Sequence, residues 1–154
     1  MLIRPYERRD AEAIVALFHE TIHTIAAADY TREQLDAWAP EIPDPAVWHG
    51  RMAPRLTLVA EEGGEILAFA ELIEDGTLDM FYCRHDVQAQ GIGSRLFGGI
   101  EARARGLGLK RMVAQASITA RPFFERQGFR VVRQNSIVRG EVELINFTME
   151  KRLE

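Results

Sequence analysis

The sequence predicts a single α/β (α+β) domain spanning residues 1–154, with seven strands and about four helices in the order β-α-α-β-β-β-α-β-α-β-β. Three observations lead there. Apolar residues recur at strand and helix spacing in segments separated by Gly, Pro and Asp turn signals. One stretch, Phe81 to Leu96 (FYCRHDVQAQGIGSRL), reads as a strand, a glycine loop and the start of a helix. And 154 residues at 47% apolar can bury a proper core but are too few for two ordinary domains.

Each element has its own signal. Leu2–Pro5 is a short first strand. Asp10 is placed to cap a helix running to about Ala27, with Ile14, Leu17, Phe18, Ile22 and Ile25 on one face. Thr31 and Gln34 have capping-box spacing for a second helix that stops at Pro40, and Asp44-Pro45 reads as the cap and first residue of a further helical turn. Strands Leu56–Glu61, Glu65–Ile73 and Thr77–Cys83 follow, joined at Gly63-Gly64 and Asp75-Gly76. The helix after Gly93 packs through Leu96, Phe97, Ile100, Ala104 and Leu107 and ends at Gly106 and Gly108. Lys110–Ala116 is a strand, Arg121–Gln127 a short helix, and Phe129–Ile137 and Glu141–Glu150 form a hairpin about Arg139-Gly140.

The glycine loop carries the chemistry. Its backbone N–H groups and the following helix N-terminus favour an anion, most simply a phosphate ester, above Gly91 and Gly93. A kinase or ATPase loop would need Lys-Ser or Lys-Thr after the last glycine, and Gly93 is followed by Ser94 and Arg95. A dinucleotide fold would need glycine where Leu96 stands. The net charge of −4 argues against a non-specific nucleic-acid binder. Absence of a long apolar run or signal peptide, together with a single cysteine, points to a cytoplasmic protein with no membrane association.

The spacing Gln88-x-x-Gly91-x-Gly93 after strand Thr77–Cys83 resembles the pyrophosphate loop of the GCN5-related N-acetyltransferases, the GNAT superfamily. Phe123-Phe124-Glu125-Arg126-Gln127-Gly128-Phe129 is similar to that family's late motif, in which a short helix closes on a left-handed glycine. The element order is also the family's, so the resemblance covers nearly the whole chain. It implies a central mixed, mostly antiparallel sheet and an acyltransferase that moves acetyl from acetyl-coenzyme A to a primary amine by direct attack. The acceptor would be a small-molecule or peptide amine, and the protein a monomer or homodimer with no metal.

Residue by residue, the resemblance places Gln88, Ala89, Gln90, Gly91, Ile92, Gly93 and Ser94 around the pyrophosphate. The backbone of Phe81, Tyr82 and Cys83 would line the pantetheine arm, with one N–H polarising the thioester carbonyl. Ser117 would face the pantetheine and Phe124 lie beside the sulfur. Many family members carry a tyrosine at the position of Phe124, whose hydroxyl protonates the departing thiolate, and phenylalanine cannot do this. For a general base the residues offer Asp79, which shares strand parity with Phe81 and Cys83 if the strand is regular, and then Glu71, a charge inside an apolar run. Asp29, Tyr30, Trp38 and Trp48 mark the region where an amine would enter in the family.

Other readings compete. His19-Glu20-Thr21-Ile22-His23 matches the H-E-x-x-H helix of zinc peptidases, but Ala26 and Asp29 stand where an extended motif wants glycine and a third histidine, leaving only Glu41 as a ligand. Both histidines fall off the apolar stripe, as solvated residues would. Cys83 could carry an acetyl group, though strand cysteines are commonly buried apolar residues. His85 could approach the loop phosphates. An acyl-coenzyme A sensor without transfer activity would also suit a chain with Phe124.

Overall fold

A computed structural model describes residues 1–88 and 90–153. The sheet contains β1 (Leu2–Pro5), β2 (Leu56–Glu62), β3 (Glu65–Leu72), β4 (Thr77–Cys83), β5 (Arg111–Ser117), β6 (Arg130–Arg139) and β7 (Val142–Arg152). The helices are α1 (Ala11–Ile25), α2 (Arg32–Trp38), α3 (Pro45–Met52), α4 (Ile92–Gly106) and α5 (Arg121–Arg126). The helix beyond the expected four is α3, the Asp44-Pro45 turn grown to eight residues: Asp44 Oδ1 accepts from Ala46 N–H at 2.9 Å, and Pro45 fills the first turn, where no N–H is needed. The Thr31–Gln34 capping box forms as expected, with bonds of 3.2 and 2.8 Å.

Asp10 does not cap α1 through its side chain. A 3-10 turn, Arg8–Asp10, precedes the helix, and the Asp10 carboxylate accepts from Glu7 N–H and from both terminal nitrogens of Arg4, all at 2.8 Å. The pull of Arg4 outweighs the first turn of α1 because its guanidinium also reaches Glu61 on β2, tying the entry to the helix onto the sheet.

The seven strands lie in the order β1-β2-β3-β4-β5-β7-β6. All neighbours are antiparallel except β4 and β5. Helix α4 covers one face, burying Leu96, Phe97, Ile100 and Ala104 against Ala68, Ala70, Met112 and Ala114. Helices α1 to α3 cover the other, where Ile14, Phe18, Ile22, Trp48 and Met52 pack on Val59 and Phe69.

Two irregularities make room for a site. Strands β4 and β5 pair only at Thr77–Val113 and Leu78–Ala114, then part as β4 follows β3 and β5 follows β7. The β3–β4 register also slips opposite Asp79: Glu71 pairs with Met80 but Leu72 with Leu78. This bulge breaks the parity expected of a regular strand. Leu78, Phe81 and Cys83 pack on the α4 face, whereas Met80 and Tyr82 pack on the α1 face.

Candidate active site

A cleft of about 710 Å³ opens where β4 and β5 diverge. Phe81, Tyr82 and Cys83 form one wall, Ser117 to Phe124 the other, Gly91 to Ser94 one end, and Ile22, Ile25 and Trp38 the other end. Arg84 N–H donates to Leu67 O at 2.8 Å. Alternation along an antiparallel ladder therefore turns the Tyr82 N–H toward β3 and those of Phe81 and Cys83 toward the gap. The Cys83 carbonyl is held by Thr21 Oγ1 at 3.0 Å and Gln88 Nε2 at 2.8 Å. Gln88 thus braces the loop with its side chain, donating also to Arg84 O at 3.2 Å.

Gly91 precedes α4 in the left-handed region, φ +79°, and a Cβ there would meet nothing within 4 Å. The free N–H groups of the first helical turn, from Ile92 through Ser94, begin beside this open space. Gly93 serves a different need: its Cβ would lie 3.0 Å from Phe123 Cε1 and 3.3 Å from Cys83 Sγ. The loop suits a diphosphate in both respects, with donors aimed outward and no side chain above them. Ala89 lies outside the described residues, and Gln90 is exposed.

Ser117 lines the cleft, with its Oγ accepting from Ala120 N–H at 3.0 Å and so starting α5. That helix ends as expected: Gly128 has φ +96°, with Gly128 N–H bonded to Glu125 O and Phe129 N–H to Phe124 O. Phe124 lines the cleft from within a cluster formed by Phe81, Phe123 and Phe129. Burial pushes the Cys83 thiol up to about 11, which disfavours the thiolate a nucleophile needs. Burial also raises Tyr82, and Asp79 and Tyr30 add to this, while a hydrogen bond with Trp38 opposes it; its hydroxyl keeps its proton at neutral pH.

The two carboxylates proposed as base sit in different surroundings. Asp79 sits at the bulge, on the face of Met80 and Tyr82 rather than that of Phe81 and Cys83, because the extra residue reverses the parity. Its Oδ2 accepts from Arg55 Nη1 at 3.0 Å and its side chain is 39% exposed. Glu71 is wholly buried; Arg55 Nη1 lies 2.5 Å from its Oε1 and Arg51 Nε 3.6 Å away. Burial is the dominant influence on Glu71 and raises it, against the pull of Arg55 and Arg51.

Of the residues expected near an amine, Trp38 lines the cleft beside Tyr82. Tyr30 is buried, and its hydroxyl is engaged by backbone: it donates to Ile145 O at 2.6 Å and accepts from Ile118 N–H at 2.9 Å. Asp29 accepts from Thr119 Oγ1 at 2.8 Å on the rim. Trp48 is buried under α1, edge-on to Phe18. Two residues of the H-E-x-x-H stretch have other partners. His23 Nε2 bonds Ala39 O at 2.6 Å, tying α1 to the end of α2 instead of lying in solvent, while Glu20 lies 3.6 Å from His85 Nδ1. Among the described residues, no group of three or more His, Cys, Asp and Glu is placed to hold a metal ion. The sequence reading missed Arg51 and Arg55, which nothing in their local pattern distinguishes from solvated charges.

A parted parallel strand pair, a left-handed glycine loop and a following helix leave an open cleft between two strands, with free backbone donors at one end. Residues 26–152 match the acetyltransferase (GNAT) domain family, and the chain belongs to that family. It is 29% identical over 147 residues to the uncharacterized N-acetyltransferase YafP of Escherichia coli, covering 96% of this chain and 93% of that protein. A GCN5-related N-acetyltransferase from Rhodopseudomonas palustris superposes with a TM-score of 0.91 at 32% identity, over 98% of this chain and 94% of that one. The fold is shared with the PaiA N-acetyltransferase of Thermoplasma acidophilum, solved in complex with coenzyme A: TM-score 0.81, 20% identity and 98% of each chain covered.

Proposed function

We propose that this protein transfers acetyl from acetyl-coenzyme A to a primary amine by direct attack in a ternary complex. The observation that carries this reading is the parting of β4 from β5 beside the open, left-handed Gly91. Main-chain groups from Gln88 to Ser94 would take the pyrophosphate, and the free edges of Phe81 and Cys83 the pantetheine. Family membership and the coenzyme A complex of the Thermoplasma relative favour the same ligand. The acceptor is a small-molecule or peptide amine that enters past Trp38.

In the transfer, the amine nitrogen attacks the thioester carbonyl carbon while the Phe81 or Cys83 N–H stabilises the charge growing on its oxygen. Asp79 takes the amine proton, directly or through one water, from the acceptor face of the sheet. The C–S bond then breaks. The leaving thiolate needs no dedicated acid, since a thiol of pKa near 8.5 is a tolerable leaving group at neutral pH, and Phe124 has no proton to give.

A second reading is favoured by Phe124 itself: a domain that binds acyl-coenzyme A without transferring. Calorimetric titration with acetyl-coenzyme A, followed by thiol release with a panel of amines, separates the two. Saturable binding with turnover supports the transferase, and saturable binding with no turnover across the panel supports the sensor. Gly91→Val should abolish binding, because its side chain enters the diphosphate space. Normal binding by that variant would mean the loop is misassigned.

A further inference from the structure

We propose that Arg55 is a positioning residue of the transfer site, a cation held from below by buried Glu71 that aims Asp79. The proposal rests on the reading of Asp79 as proton acceptor. A single nitrogen, Arg55 Nη1, lies between Glu71 Oε1 at 2.5 Å and Asp79 Oδ2 at 3.0 Å. Glu71 is in the middle of the sheet with no exposed surface, and its second oxygen has no hydrogen-bond partner among the described residues. A buried carboxylate in such a place is costly and rarely stabilises more than an apolar side chain of the same shape. Its evident effect is geometric: it fixes one end of Arg55, and Arg55 then fixes Asp79 at the bulge where β4 leaves β5.

The surroundings leave Asp79 dependent on this contact. From α3, Arg51 reaches Glu71 at 3.6 Å and stacks 4.4 Å over Trp48, so its charge is directed to the buried carboxylate. From β4, the Tyr82 phenol feels the Asp79 charge. The β5 residues in register with the adjoining part of β4, Val113 and Ala114, carry no charge. Arg55 is the cation that touches Asp79 among the described residues. Removing Arg55 leaves Arg51 on Glu71 and takes away the cation in contact with Asp79.

The test is a ¹³C NMR titration of aspartate-labelled protein, with the Asp79 carboxyl resonance assigned by its absence from Asp79→Asn. In Arg55→Gln the Asp79 midpoint should rise by about one pH unit or more, as expected when an opposite charge within hydrogen-bond distance is lost. Arg55→Lys, which keeps the charge, should return it most of the way. The double variant Arg55→Gln/Glu71→Gln removes the buried charge together with its partner, guarding against misfolding, and should show a smaller rise, because the lost negative charge of Glu71 offsets part of the lost Arg55 contact. An unchanged midpoint in both Arg55→Gln and the double variant overturns the proposal. Transfer by Asp79→Asn at the wild-type rate overturns instead the assignment of Asp79 as base. The two failures are therefore separable.

Discussion

Gly91 and Gly93 look equivalent in the sequence but are required for different reasons. Gly91 is required by its backbone: at φ +79° an L side chain is strained even though space is open around it. Gly91→Ala should cost about 1 kcal/mol of stability and weaken coenzyme A binding much more than it lowers the melting point. Gly93 is required by its neighbours, since a methyl group would press on Phe123 and Cys83. Gly93→Ala should cost more, about 2–3 kcal/mol by overpacking, visible as a lower melting point without ligand. Equal losses of stability in the two would contradict this division. The same scale governs Asp10. Burial opposes its charge, but the Arg4 fork, Glu7 N–H and Arg9 together outweigh burial, and its carboxyl lies below the ordinary range. Its contribution is therefore present above the unfolded value near 4 and lost as pH falls through the lower folded value. Asp10→Asn should cost about 2 kcal/mol at pH 7, with the gap from wild type closing in melts below pH 4.

At the scale of elements, Tyr30 acts as a pin. Its hydroxyl joins Ile145 on β7 to Ile118 just beyond β5, bridging the α1–α2 connection to the far wall of the cleft. Tyr30→Phe leaves two partly buried backbone groups without a partner and should cost about 1–3 kcal/mol, read as a lower denaturation midpoint at unchanged slope. Most elements were legible because their signals are local: the Thr31–Gln34 box, Asp44-Pro45, the turn glycines and Gly128 all satisfy backbone needs within a few residues. The glycine loop was legible for the same reason. What escaped notice depends on contacts far apart in sequence. Arg55 reaches Glu71 and Asp79, 16 and 24 residues away, through a fold that the residues around Arg55 do not announce. Arg4 draws Asp10 away from the cap that its position suggests. The parity of Asp79 failed because a bulge is set by pairing with β3, and nothing in Thr77–Cys83 itself marks the extra residue.

For the whole molecule, the divided sheet has a consequence that can be measured at single amides. Strands β1 to β4 and strands β5 to β7 share only the Thr77–Val113 and Leu78–Ala114 pairs, so beyond Leu78 the β4 edge has no strand partner. The Met80 and Tyr82 amides face β3 and should exchange slowly whether or not ligand is present. The Phe81 and Cys83 amides face the gap. They should exchange faster in the free protein and become protected when acetyl-coenzyme A saturates the cleft, since an extended pantetheine completes the ladder as an added strand would. Ligand at a hundred times its dissociation constant would also stabilise the fold by about 2.7 kcal/mol, raising the melting point by roughly 5–10 °C for a domain of this size. Global stabilisation alone would slow exchange at all four amides in proportion. The alternating pattern, with strong protection at Phe81 and Cys83 and little change at Met80 and Tyr82 under conditions of local opening, is specific to a ligand seated between the strands. Protection confined to the amides of Gly91 to Ser94 would place the phosphates correctly but the acyl arm elsewhere, and the proposed carbonyl contact would then be wrong.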